Sequence, residues 1–490
     1  MSGQLVCGLD VGTTMVKAAL FDLERPHEPV AVEEAPSPSR MPSPGWSEAD
    51  PREVSAAAAD AIGKVMEGRD PDAVGAVGIS GTACGAWLVD GDGRPVRDAI
   101  LWNDGRAEDI VAGWTRDGTL ERIFEISGNV PYPGYTLPVL AWLREHEPGA
   151  LDAAAKVLCC KDWLRLELTG EVASEATDAS YVPCDIRARR WSGELLEVCG
   201  VAEEERLLPE LLPETHVAPL RADDLGLAPG TPVAMGLTDI VSGTLGGGGI
   251  RPGQGVTVLG TSAVSTIITD EPVLEPAVAG LNACSPLGRW ARTMVNTSGS
   301  MTLDWTARLL CGGDVGKLAE LAEGADEIAD ALAFVPYLSN AGVVAPFAEP
   351  SARAVIAGMR VDHGPAEVAR AAFEGLAIAV AEGYAAMPVE VHEITAVGGA
   401  SRSDLLLQAI ADYTGCLVHR VSGESAGARA VALMAARAAG LLASDRELEE
   451  AVEARHVVRS FEPEPDRRAG LAERYRALVA ATRDLWPEWR

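Results

Sequence analysis

The feature that most constrains this chain is an apolar strand running into a polar glycine turn, a unit that returns half a chain later. Residues 5–9 are apolar and lead into Asp10-Val11-Gly12-Thr13-Thr14, after which Met15–Asp22 is a second strand candidate. Glycine lets the backbone reverse tightly, so a hairpin tip of this composition exposes N–H and hydroxyl donors. Residues 256–259 lead in the same way into Gly260-Thr261-Ser262. Residues 73–79 lead into Ser80-Gly81-Thr82, 233–237 into Thr238-Asp239, and 395–397 into Gly398-Gly399-Ala400-Ser401. Short apolar runs that end in small or polar residues read as buried strands delivering loops at their C-terminal ends. Helical patterns occupy Pro51–Met66, 365–386, 403–414 and 427–439, the second opening on a proline suited to a first helical turn. Strands alternating with helices specify an α/β fold. The returning unit implies two similar halves, expected as domains 1–248 and 249–490, with the connection at the Gly246–Gly249 run and Pro252-Gly253. The charged tail from Ser460 reads as a surface helix.

Charge narrows the partners. The 490 residues hold 41 Lys and Arg against 72 Asp and Glu, a net charge of −31. Nucleic-acid phosphates and anionic membranes need clustered cations, so neither is an expected partner. A small phosphate ligand remains compatible, because a few backbone N–H groups can hold one locally. The nine Cys form no CxxC pair, and the start MSGQLVCGLD has no charged and apolar leader pattern. No apolar run approaches the ~18 residues that span a bilayer. Reduced thiols and a cytoplasmic location are expected. Zinc is not, since neither His146-Glu147 nor His392-Glu393 continues into HExxH.

Several nucleotide and hydrolase motifs can be weighed directly. Walker A is absent, because Gly63-Lys64 precedes Val65 and Gly316-Lys317 precedes Leu318. No GxGxxG follows a strand. Gly423-Glu424-Ser425-Ala426-Gly427 matches the GxSxG elbow, with Asp445 and His456 following in hydrolase order. A nucleophile at 425, however, would leave over four hundred residues outside the catalytic unit. The loop Asp10–Thr14 with Lys17 is better placed. Its carboxylate beside anion-binding donors is reasonable where a Mg²⁺ bridges to phosphate. Asp239 ends an apolar strand and precedes a helical stretch. It reads either as an N-cap or as a carboxylate that accepts a proton from a sugar hydroxyl.

The segments 8–17, Ile100-Leu101-Trp102-Asn103-Asp104-Gly105-Arg106, Thr238-Asp239, 259–262, Leu303-Asp304-Trp305, 334–338 and 397–401 resemble the FGGY carbohydrate kinases, in that family's order. Trp46–Pro51 and Lys161-Asp162-Trp163-Leu164-Arg165 resemble its xylulose kinase branch. The resemblance implies two actin-like, ribonuclease-H-like domains closing over ATP, Mg²⁺ and a small sugar or polyol. It implies Asp239 as general base and Asp10 as the metal-side carboxylate. Thr13, Thr14, Lys17, Gly260, Thr261 and Ser262 would hold phosphates, and Gly398, Gly399, Ala400 and Asp404 the nucleoside end. Thr82, Ala83, Cys84, Trp102 and Asn103 would face the sugar. A homodimer is a candidate assembly.

Four positions depart from the family pattern. Thr82-Ala83-Cys84 stands where xylulose kinases carry Gln-Met-His, Ile240 where an amide is usual, Val139 where a Lys is usual, and Asn340-Ala341-Gly342 where an acidic-Arg segment is usual. The resemblance implies a pentulose such as xylulose as substrate, while the departures look more like the L-xylulose kinase and erythritol kinase branches, so erythritol, L-xylulose or another polyol are the alternatives. Two readings of other classes stay open: a serine esterase using Ser425, and a non-catalytic sugar sensor on a kinase fold.

Overall fold

Residues 5–22 form the expected hairpin in a computed structural model that describes residues 5–221, 225–325, 332–340, 342–422, 425–464 and 469–489. Strands β1 (Leu5–Val11) and β2 (Met15–Asp22) pair antiparallel from Leu5·Asp22 to Val11·Val16. Strand β3 (Pro29–Pro36) joins β2 antiparallel, while β4 (Val74–Gly81) lies parallel to β1. With β5 (Val217–Pro219), β6 (Pro232–Ala234) and β7 (Leu237–Thr238), the first sheet runs β5-β6-β4-β1-β2-β3, β7 pairing with β4.

The second sheet repeats this plan. Strands β8 (Gln254–Leu259) and β9 (Ala263–Thr269) make a hairpin, joined by β10 (Leu281–Ser285), β11 (Arg289–Asn296), β12 (Glu393–Val397), β13 (Leu417–Val421) and β14 (Val457–Phe461). Its order is β10-β11-β9-β8-β12-β13-β14, with β12 parallel to β8 and β13 parallel to β12. In both sheets a hairpin gains a third antiparallel strand on one side and two parallel strands on the other. This is the paired actin-like arrangement.

The helices that position the site are α1 (Pro51–Met66), α2 (Thr136–His146), α3 (Cys160–Thr169), α4 (Asp239–Gly246), α5 (Pro365–Ala385), α6 (Asp404–Thr414) and α7 (Ala426–Ala438). Asp50 caps α1 by accepting from the Arg52 N–H, and Pro51 occupies its first turn. Helix α7 belongs to the second half of the chain yet packs on β1 and β4 of the first sheet and against α4. Sequence explains how it fits so closely. A Cβ at Gly8 would lie 1.8 Å from the Ala428 carbonyl oxygen, and one at Gly78 1.9 Å from that of Val431. Ala428, Ala432, Ala435 and Ala436 then meet Val6, Ala19, Phe21 and Ala76 in one apolar layer.

Two segments differ from the sequence reading. The tail from Ser460 is not one surface helix: residues up to Phe461 close the second sheet as β14, and Ala469–Thr482 is helical. Tyr475 and Trp486 from this tail are fully buried against Tyr337 and its neighbours, so apolar burial overrides the charged pattern. The run 233–237 breaks between β6 and β7 at Gly236, whose φ of +79° suits glycine and whose Cβ would meet the Ile79 oxygen at 2.0 Å. Among the described residues no helix is long and apolar enough to cross a membrane.

Candidate functional site

Asp10 occupies the last-but-one ladder position of β1, opposite Lys17 on β2, so both side chains project from the same sheet face. That face meets the start of α7: a Cβ at Gly427 would lie 2.5 Å from Asp10 Oδ2. Burial raises the Asp10 carboxyl above the usual carboxylate range, against a hydrogen bond from Ser80 and the charge of Lys17. Lys17 also pairs with Glu34 at 2.7 Å. Beyond Asp10 the chain turns through Gly12-Thr13-Thr14, closed by Gly12 N–H to Met15 O at 3.0 Å. Trp102 Nε1–H donates to Thr13 Oγ1 at 2.9 Å, which brings the Trp102-Asn103 turn to the hairpin tip. Thr14, Trp102 and Asn103 are exposed there.

Asp239 is the first residue of α4, and Thr238 is its N-cap. Its Oδ1 accepts from the Ile240 N–H at 2.8 Å, and its carboxylate also accepts from the Ala83 N–H. Burial, with the Asp10 charge beside it, pushes the Asp239 carboxyl up to about 6. A base with that value is ionised at neutral pH yet basic enough to take a proton.

Behind Asp239 lies a buried ionic cluster. Lys161 Nζ is 2.6 Å from Asp162, 3.0 Å from Asp178 and 3.2 Å from Glu175. Glu175 accepts from the Thr177 hydroxyl, and Thr177 Oγ1 accepts from the Thr238 N–H at 2.9 Å. One ammonium faces three buried carboxylates, and burial raises the Asp162 carboxyl and, well above its usual range, that of Asp178, which favours their protonated forms. The cluster thereby holds the strand end that carries Asp239.

The second sheet supplies the opposite wall. Gly260-Thr261-Ser262 closes the β8–β9 hairpin, with Gly260 N–H to Ser262 O at 3.0 Å, and Thr261 is exposed at its tip. Gly398 has φ +94°, and a Cβ there would meet the Leu259 oxygen at 2.7 Å, so the β12 turn abuts this hairpin. A cleft of about 880 Å³ opens between the halves, lined by Lys17, Gly398, Gly399 and Ser425 among others. Ala400 follows in the same turn. Asp404 stands at the start of α6, where Arg420 holds it at 2.6 Å and Arg459 also pairs with it. Its carboxylate is thus already matched by two guanidinium groups.

The residue types fit a divalent cation and phosphate groups. The Asp10 charge adds to burial in raising the Asp239 carboxyl, a repulsion that a cation held at Asp10 would relieve. The cleft is lined by Lys17 from the first half and by Gly398, Gly399 and Ser401 from the second, while Gly12 and Thr13 line a separate small pocket with Thr82 and Trp102.

In the turn after β4, Thr82 hydrogen-bonds the Cys160 thiol and its N–H donates to Val11 O. Cys84 has φ +66°, a left-handed conformation unusual outside glycine, and its Sγ meets the Tyr132 hydroxyl at 3.5 Å. Tyr132, Tyr135 and Tyr181 were not anticipated. The available signal was compositional: with only seven Tyr in the chain, two of them fall within the Pro- and Gly-rich stretch 131–135.

The departures also have locations. Val139 on α2 is fully buried among Leu137, Leu140 and Leu143, an apolar setting in which a Lys would lack a partner. Ile240 packs against the Cys84–Tyr135–Tyr181 cluster. Asn340 is exposed, and Ala341 lies outside the described residues.

The hydrolase triad is not assembled. Asp445 pairs with Arg437 at 2.9 Å, and His456 Nδ1 contacts Ser422 Oγ at 3.1 Å. The Ser425 hydroxyl has neither as partner. Gly423 and Glu424 of that motif lie outside the described residues.

Comparison with known proteins agrees with this fold. The N-terminal domain of the FGGY family of carbohydrate kinases matches residues 5–246, and the family's C-terminal domain matches 255–439. The chain is 33% identical to a xylulose kinase of Escherichia coli over 489 residues, covering 98% of this chain and 99% of the relative. It is 30% identical to an erythritol kinase of Brucella abortus, covering 99% and 97%. A solved structure from Brucella ovis, described as a xyloylose kinase, superposes with a TM-score of 0.89 at 30% identity, covering 98% of this chain and all of that one.

Proposed function

The chain belongs to the FGGY family of carbohydrate kinases, and on that premise we propose that it transfers the γ-phosphoryl group of ATP to a primary hydroxyl of a pentulose such as xylulose. The observation that carries this reading is Asp239: a carboxylate at a strand end, raised to about 6, beside Asp10. In the proposed reaction the sugar hydroxyl lies within reach of Asp239, which accepts its proton as the oxygen attacks phosphorus. Thr13, Thr14, Lys17, Gly260, Thr261 and Ser262 hold the phosphates, and Gly398, Gly399 and Ala400 the nucleoside end. Asp10 would hold Mg²⁺, which supplies neutralisation of phosphate charge. Thr82, Ala83, Cys84, Trp102 and Asn103 bound the sugar. The buried Lys161 cluster keeps the Asp239 loop rigid, so positioning rather than covalent chemistry supplies most of the rate.

Erythritol and L-xylulose are the competing substrates. The apolar Ile240 and the Ala83-Cys84 pair favour them, since a substrate hydroxyl that needs an amide or imidazole would go unmatched there. The deciding experiment is a coupled ADP-release screen over pentuloses, tetritols, glycerol, hexuloses and aldonates, with Asp239→Ala as blank. Turnover above the blank with a pentulose or tetritol is expected. No sugar-dependent ADP release from any compound would overturn the reading.

A further inference from the structure

The interdomain cleft extends beyond the turns proposed to hold the nucleotide. Strand β2 leaves the hairpin tip at Met15, and Phe21, His27 and Pro29 at its far end also line the cleft. At ~3.3 Å of rise per strand residue, Phe21 stands roughly 20 Å from the tip. Ser425, Arg429, Arg455 and His456 from the second half line the same cleft. Its charge is opposite to that of the molecule. Five Lys and Arg side chains line it against two Glu, in a chain whose net charge is −31. Of the two Glu, Glu28 is exposed and Glu34 is paired with Lys17.

The cations at the base are incompletely matched. Arg429 on α7 is 5% exposed and donates to backbone carbonyls of Pro26, of Gly246 at the end of α4, and of Ala451, Val452 and Ala454. Among the described residues no carboxylate pairs with it. Burial and the neighbouring Arg455 charge lower it to about 10, so it is still a cation at neutral pH. Arg455 gives one nitrogen to Glu393 at 2.8 Å, but its Nε is buried without a partner in a side chain only 9% exposed. The Ser425 hydroxyl, 6% exposed at the head of the thirteen-residue α7, is also buried without a partner, and α7 has no side-chain cap. Buried donors are nearly always matched, so two unmatched ones at the positive end of a helix call for an acceptor. His27 of the first half and His456 of the second face one another there, with ring centroids 6.2 Å apart.

We infer that the base of the cleft is a second anion site, separate from the nucleotide's own phosphate turns, and that it takes a phosphoryl group: inorganic phosphate or the phosphate end of a small phosphorylated metabolite. Ser425 Oγ, Arg455 Nε and the first N–H groups of α7 are its donors, and Arg429 supplies charge from behind them. A phosphoryl group offers at least three acceptor oxygens, which suits this donor set better than the two of a carboxylate. The site has walls from both halves, so its ligand stabilises the arrangement of the halves that it binds.

The test is calorimetric titration of the full-length chain with inorganic phosphate and, separately, with a pentulose phosphate, each with and without a saturating non-hydrolysable ATP analogue. Binding is read directly, so the outcome is independent of turnover and of the kinase reading. Saturable phosphate binding that persists beside the analogue is expected. Ser425→Ala, which removes a single oxygen, and Arg455→Gln are each expected to weaken it at least about tenfold, with the analogue's affinity within about threefold of wild type. Tighter binding of the pentulose phosphate, sensitive to the same two substitutions, would assign the ligand to a phosphorylated metabolite. Equal or weaker binding would assign it to inorganic phosphate. No saturable binding to the wild type, competitive displacement of phosphate by the ATP analogue, or unchanged affinity in both variants would overturn the inference.

Discussion

The two sheets share a central plan, a hairpin flanked by an antiparallel strand on one side and two parallel strands on the other, but differ in the acids they carry. In the first hairpin the pair before the last ladder rung is Asp10·Lys17, and in the second it is Val258·Val264. In the first half, α4 begins with Asp239, whereas α7, the helix after the last parallel strand of the second half, is preceded by Ser425. The acids are thus concentrated in one copy of a repeated frame. The other copy carries Val258, Val264 and Ser425 at the corresponding places. In the proposed reaction the first half would act on the acceptor and the second would shape the nucleotide end, and burial forces the proton affinities of both acids upward.

Making the first half resemble the second is the most severe disruption. Asp10→Val should lower phosphotransfer by about 100-fold or more while the protein stays folded, because the phosphate-side charge is no longer balanced. ADP release beside thermal melting checks this, and turnover within threefold of wild type would contradict the asymmetry. Next is Gly8→Ala, whose Cβ would strike the Ala428 carbonyl oxygen at 1.8 Å. Displacing α7 should cost roughly 3 kcal/mol of stability by overpacking, seen as a lowered urea midpoint. The converse substitution, Val258→Asp, should not create a second acid site. It should cost about 1–3 kcal/mol by desolvating a carboxylate beside Val256, Val397 and Val421. Smallest of all is Asp445→Asn, which loses only the exposed ion pair with Arg437. It should change stability by no more than about 0.5 kcal/mol and leave kinase turnover unchanged, whereas a working Ser425 triad would respond strongly.

Much of this was legible in the chain itself. The hairpin turns at Gly12 and Gly260 and the strand end at Asp239 could be found because apolar runs ending in small polar residues are a local signal. The packing of α7 on the first sheet was not legible, since Gly8 and Gly78 gain meaning only from a helix more than three hundred residues away. The tail after Ser460 was misjudged because its charge pattern concealed Tyr475 and Trp486, whose burial depends on the distant Tyr337. Asp404 could be singled out by position in a motif, but its partners Arg420 and Arg459 come from two other strands. The Tyr132–Tyr135–Tyr181 cluster was missed for the same reason: aromatic spacing in a loop carries no periodicity that indicates shared packing.

The account turns on Asp239 as an ionised, proton-accepting carboxylate with a value near 6. A native value above the unfolded one means the native state holds its proton longer. Folding stability is therefore penalised as pH rises from about 3.8 to 6, and the penalty is complete above that. The most direct measurement is kcat for the preferred sugar from pH 5 to 8, together with melting of wild type and Asp239→Asn over the same range. The account predicts an ascending limb centred near pH 6 in the wild type. It predicts for the Asn variant a loss of at least about 100-fold in kcat and a higher melting temperature above pH 6 that vanishes towards pH 4. An Asn variant that keeps wild-type turnover, or one less stable than wild type at pH 8, would contradict it.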